Sequence, residues 1–83
     1  MMRWRLRELM GDYQAKTGER MTYDDITSAT GLSPNTLSLL STGKAQRADV
    51  ETIEKLLTFF SQKLGRQLQT GDLLRWEPED VID

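Results

Sequence analysis

The stretch Gly31-Leu32-Ser33-Pro34 constrains this chain more than any other part of its sequence. Glycine supplies the left-handed backbone that ends a helix and turns the chain. Serine two residues later caps the free N–H groups of a new helix, and proline at the first helical position loses nothing by lacking an N–H. One helix therefore stops and another starts across Gly31-Leu32-Ser33, with Leu32 filling the corner between them. Ahead of the break, Thr22 is placed to cap a short helix whose first turn carries Asp24 and Asp25, suited to the positive end of the helix dipole. Ile26 and Ala29 are its inward positions. Behind the break, Leu37 and Leu40 give the second helix its inward edge; it runs to about Ser41, and Gly43 closes it.

The rest of the chain provides something for that pair to pack against. Over residues 5–17 the apolar positions Leu6, Leu9, Met10 and Tyr13 repeat at helical spacing, and Gly18 is the stop. After a polar loop at 44–48, Asp49 caps a fourth helix with the strongest apolar stripe in the chain: Val50, Ile53, Leu56, Leu57, Phe60 and Leu64. Gly65 ends it, and Thr70-Gly71-Asp72-Leu73-Leu74 reads as one further capped turn. No repeat, low-complexity segment or long linker interrupts the pattern. The expectation is one all-α domain over residues 1–83, a compact bundle of four to five helices with a two-helix unit at 22–43.

Composition narrows the chemistry. The 83 residues include no cysteine and no histidine, which removes disulfides, thiolate or imidazole zinc sites, and Ser-His or Cys-His nucleophiles. The reading is therefore no enzyme, no small-molecule substrate, no cofactor and no metal. The richest apolar segment, Leu56-Leu57-Thr58-Phe59-Phe60, is far short of the ~18 residues of a membrane span. Arg3, Arg5 and Arg7 precede no apolar run of signal-peptide type, so no membrane association and a cytoplasmic location are expected. The net charge of −2 is unevenly spread: residues 1–48 carry seven Lys/Arg against five Asp/Glu, and residues 49–83 four against eight. A mildly basic front half permits a phosphate partner without requiring one.

Two short helices joined by a three-residue, glycine-containing turn form the generic helix-turn-helix signature. With Ile26, Leu37 and Leu40 inward, the second helix shows Pro34, Asn35, Ser38, Leu39 and Thr42 to the outside. A short exposed helix of this kind fits a major groove about 12 Å wide.

The run from Thr22 through Thr30-Gly31-Leu32-Ser33-Pro34-Asn35-Thr36-Leu37-Ser38-Leu39-Leu40 to Gly43-Lys44 resembles the Cro and phage-repressor family, the xenobiotic-response-element-type regulators. The acid-capped fourth helix and the late Gly71-Asp72-Leu73-Leu74 extend the resemblance to about Leu74, and the opening Arg3-Trp4-Arg5-Leu6-Arg7-Glu8-Leu9-Met10 is also similar to small members. The resemblance implies a DNA-binding transcriptional regulator or repressor whose second helix enters the major groove of double-stranded DNA. On that basis Ser33, Pro34, Asn35, Ser38 and Leu39 face bases, while Tyr23, Thr42, Lys44 and Arg47 face phosphates. It also implies that Met2-Arg3-Trp4 pairs with Leu74-Arg75-Trp76 where members carry terminal strands. A module this small on one half-site binds weakly, so a homodimer is expected. The sequence departs from the family pattern in four places, the stretch Ser61–Gln69 being a few residues longer than in compact members. Tyr23 stands where glutamine is frequent and Thr27 where a small residue is usual, and the recognition segment holds no Arg, Lys or Gln.

Plainer readings accompany several of these residues. Asp24 and Asp25 serve a helix start rather than a metal, Met10 is core, and Trp4 and Trp76 pack on each other where the ends meet. Arg3, Arg5 and Arg7 share one face if extended, facing phosphates or pairing with Glu77 or Glu79. A regulator predicts a basic ridge from Lys44 and Arg47, joined by Lys16 or Arg20. The alternative, a protein-binding adaptor or antitoxin-like module on the same fold, predicts an apolar patch dominated by Leu39.

Overall fold

A computed structural model of the chain describes residues 2–42 and 49–78. In order these form strand β1 (Met2–Trp4), helices α1 (Leu6–Thr17), α2 (Tyr23–Thr30), α3 (Pro34–Ser41), α4 (Val50–Leu64) and α5 (Thr70–Leu73), and strand β2 (Leu74–Trp76). The helical bundle expected from the periodicity is present, with a two-stranded antiparallel sheet joining its ends. Met2 registers with Trp76, Arg3 with Arg75 and Trp4 with Leu74. The Arg5 N–H donates to the Leu73 carbonyl at 2.7 Å and extends this pairing by one step.

The helix starts are set by side chains near each N-terminus. Thr22 Oγ1 accepts from the Asp25 N–H at 3.3 Å, and the Asp25 carboxylate accepts from the Thr22 N–H at 2.9 Å, a reciprocal capping box. Asp49 accepts from the Thr52 N–H at 3.0 Å, and the Asp72 carboxylate accepts from the Gln69 N–H at 2.8 Å. α2 and α3 have eight residues each, below the roughly 12–15 that make an isolated helix even marginal in water. Caps and shared burial hold them.

α4 lies at the centre and contacts α1, α2 and α5, while α3 packs on α1 and α2. Phe60, Leu56, Leu6, Ile26, Leu37 and Leu73 are fully enclosed, each contributing about 1.5–3 kcal/mol by burial. Phe59 meets Phe60 edge-on, with ring centroids 5.1 Å apart. Among the described residues no polar or charged residue is buried, and no helix is long and apolar enough to cross a membrane.

Several inward assignments change. Ala29 is exposed; the inward side of α2 is formed by Ile26, with Tyr23 packed partly against the core. Val50 is 69% exposed; it is rotated about a quarter-turn from the buried line through Leu56 and Phe60. Phe59, Met21 and Leu68, outside the expected stripes, are buried. Leu68 is drawn in because Ser61 Oγ accepts its N–H at 3.1 Å, folding the segment after α4 back onto the core. Trp4 packs against the core, but Trp76 is 65% exposed beside Met2 and does not stack on Trp4. Only Arg3 of the three N-terminal arginines lies in the strand; the backbone turns at Arg5 and Arg7 is helical, so they share no extended face.

Candidate nucleic-acid interface

The turn between α2 and α3 is tied down by local bonds. Gly31 takes φ +77°, the left-handed region, and its N–H donates to the Thr27 carbonyl at 2.8 Å. The Thr30 hydroxyl donates to the Ile26 carbonyl at 2.7 Å and accepts from the Leu32 N–H at 3.2 Å. Leu32 is half-buried in the corner against the core. Leu37 and Leu40 anchor α3 from beneath. Its angle is therefore fixed by apolar contacts on one side and leaves the other side open.

On that open side Pro34, Asn35, Ser38, Leu39 and Thr42 are all exposed, as the helical spacing predicts. They are not equally available. The Ser33 hydroxyl accepts the Thr36 N–H at 3.1 Å and lies 2.8 Å from the Thr36 hydroxyl, so it is engaged as the cap of α3. The Thr42 hydroxyl donates back to the Ser38 carbonyl at 2.9 Å, closing the last turn. Among the described residues the Asn35 amide and the Ser38 hydroxyl have no protein partner, and they lie on adjacent turns of α3. Leu39 is 40% exposed beside them. An amide, a hydroxyl and an apolar side chain offer donors, acceptors and a methyl contact, the groups that base edges distinguish.

Tyr23 opens α2, half-buried against the core. It borders a recess of about 520 Å³ that is also lined by Arg7, Gln14 and Arg20. Neither arginine forms an ion pair among the described residues. Arg7 also reaches a second recess that touches Ser41 and Thr42 at the end of α3. Cationic side chains thus lie near the start of α2 and the end of α3. The sequence pattern offered Lys16 or Arg20 beside the loop after α3, and Arg7 faced phosphates only on an extended face shared with Arg3 and Arg5. The 7-11-14 spacing on α1, which puts Arg7, Gly11 and Gln14 on one side, was the available signal. Asp25 lies close by, but its carboxylate is turned to Thr22, whose backbone and then side-chain hydrogen bonds hold its pKa below the ordinary value.

Lys16 does not join this face. Its ammonium donates to the Leu64 carbonyl at the end of α4. Lys44 and Arg47, expected on the loop after α3, lie outside the described residues, as do Gly43 and Glu79.

A steeply turned helix pair, anchored from beneath and polar on its outer face, defines a helix-turn-helix domain. The chain belongs to the Cro/C1-type HTH DNA-binding domain family, whose model matches residues 5–79. No curated protein and no solved structure matched the chain.

Proposed function

We propose that this chain is a transcriptional regulator that binds operator DNA as a homodimer, with α3 in the major groove and the whole chain acting as one helix-turn-helix domain. The observation that carries this reading is the outer face of α3, where Asn35 and Ser38 stand exposed and without protein partners while Leu37 and Leu40 fix the helix below. Asn35 pairs with adenine, Ser38 takes a neighbouring base edge, and Leu39 meets a thymine methyl group. Ser33 and Pro34 sit at the helix start, closest to the groove floor, where the capped backbone rather than the Ser33 hydroxyl meets the DNA.

Phosphates are neutralised around that face. Tyr23 and Thr42 flank it, Lys44 and Arg47 follow it in sequence, and Arg7 and Arg20 add charge beside Tyr23. Direct readout through three modest side chains is thin, so groove width and bending supply further selectivity. The polar neighbours of Leu39 favour DNA over the adaptor reading, which needs an apolar patch there.

The test is selection from a random duplex pool at about 50 mM and about 200 mM salt, followed by sequencing. Enrichment of a palindrome with weaker retention at the higher salt is expected. No retention at either salt transfers the face to a protein partner.

A further inference from the structure

We propose that the recess between α1 and the start of α2 seats a stretch of DNA sugar-phosphate backbone, with Gly11 as the bare floor on which a deoxyribose rests and Arg7 and Arg20 holding the adjoining phosphate. This deepens the DNA-binding reading above and rests on it, and it gives a role to a residue outside the helix-turn-helix unit.

Gly11 has no structural reason to be glycine. Gly18, Gly31 and Gly65 each end a helix at positive φ. Gly11 instead is the sixth of the twelve residues of α1 and takes no positive φ. Glycine in a helix interior weakens the helix relative to every other residue except proline. Packing does not require it either, since a Cβ built there meets no heavy atom within 4 Å beyond its own stretch of helix. The position opens on the recess of about 520 Å³ that Gly11 helps to line. Bare backbone facing open space is the arrangement that admits a second molecule at close range.

The walls identify that molecule. Arg7, Gln14, Arg20 and Tyr23 line the recess, and their polar side-chain ends make no hydrogen bond or ion pair among the described residues. Met10 and Met21 add apolar surface beside Gly11. A free phosphate would use only the polar part of such a site. The DNA backbone alternates an anionic phosphate with a largely apolar sugar and uses both. Asp24 also lies on the rim and opposes a phosphate, but two guanidiniums outweigh one carboxylate.

The recess is also in the right place. Tyr23 opens α2, and Arg7 reaches from here to the second recess, which touches Ser41 and Thr42 at the end of α3. α1 packs directly on α3. With α3 in a major groove, a sugar-phosphate strand runs along each edge of that groove, and the one on the α1 side crosses Gly11. Contacts of this kind set register and affinity without reading sequence. They offset the absence of Arg, Lys and Gln from the recognition segment.

The test titrates the full chain and its variants against the selected duplex and a random-sequence duplex at several salt concentrations, beside thermal unfolding of each protein. Gly11→Ala is expected to raise the thermal midpoint by about 3–6 °C, and Gly11→Leu not to lower it. Both are nevertheless expected to weaken binding, by about threefold for alanine and about tenfold for leucine, equally on the two duplexes. The opposite signs separate a blocked contact from a misfolded chain. Arg7→Ala and Arg20→Ala are each expected to flatten the log–log salt slope by about 0.9, and Asp24→Asn to tighten binding about twofold. Gly11 variants that bind as wild type, a loss confined to the selected duplex, or unchanged slopes in both arginine variants overturn the proposal and leave the DNA-binding reading standing. A wild type that binds neither duplex overturns both.

Discussion

The ammonium of Lys16, one residue before the end of α1, donates to the carbonyl of Leu64, the last residue of α4. A cation at a helix C-terminus meets the negative end of the dipole and a carbonyl without an intrahelical partner. The contact also ties together the two longest helices. Gly65 follows at φ +67°, and a Cβ built there meets Lys16 Nζ at 2.9 Å. Lys16→Gln is expected to cost about 0.5–1 kcal/mol, and Gly65→Ala about 1–2 kcal/mol from the left-handed backbone. Urea unfolding checks both. Lys16→Gln should leave the salt dependence of DNA binding unchanged; a flatter slope would return Lys16 to the phosphate-facing set.

Acid should weaken the fold through Asp25 and Asp49. Backbone and then side-chain hydrogen bonds from Thr22 hold the Asp25 carboxyl below its ordinary value, and side-chain and then backbone bonds from Thr52 do the same for Asp49. A carboxyl whose folded pKa is depressed stabilises fully above the unfolded value, and that stabilisation is lost as pH falls through the folded pKa. Urea midpoints should therefore hold from neutral pH down to about 5 and decline below about 4. Asp25→Asn and Asp49→Asn should each make the decline shallower, since asparagine still accepts the capping bond but does not titrate. An identical acid limb in the double variant would assign the decline to other carboxylates.

Thr27 carries a hydroxyl that is buried without a hydrogen-bond partner, in the middle of α2. Such a group loses its hydration and regains nothing, and threonine is also a poorer helix former than alanine. Thr27→Ala is expected to stabilise the protein by about 1 kcal/mol or more, read as a higher denaturation midpoint with an unchanged m-value. A destabilised variant would mean that the methyl group of Thr27 contributes more by packing than its hydroxyl costs.

What the sequence revealed, and what it did not, follows the range of the interactions. The caps Thr22, Ser33 and Asp49 and the turn at Gly31 depend on residues three or four apart, so local pattern was sufficient to place α2, α3 and α4. The exposed face of α3 followed from Leu37 and Leu40 by the same periodicity. Residues positioned by distant partners were hidden. Lys16 finds Leu64 from 48 residues away, and Leu68 is buried because Ser61 holds its backbone. The pairing of Met2–Trp4 with Leu74–Trp76 was implied by the family resemblance, but not the register that sets Trp76 beside Met2 and leaves it exposed instead of packed on Trp4. Val50 fits the apolar stripe by composition, but it lies about a quarter-turn from the line of α4 that faces the core and stays 69% exposed.

Asn35 is the residue on which sequence discrimination should depend most. It is exposed in the first turn of α3, its amide has no protein partner among the described residues, and it is the sole side chain on that face able to pair bidentately with adenine. Asn35→Ala should therefore relax preference at one base pair per half-site, costing about 1–3 kcal/mol on the best sequence and little on a scrambled duplex. Leu37→Ala, by contrast, removes the buried anchor beneath α3 and should cost about 2–5 kcal/mol of folding stability with any loss of binding following from it. Binding curves for both variants against the selected and scrambled duplexes, beside their urea midpoints, separate the two effects. Asn35→Ala weakening both duplexes equally would move Asn35 from base reading to backbone positioning, and the selectivity of the domain would then rest on Ser38, Leu39 and the shape of the DNA.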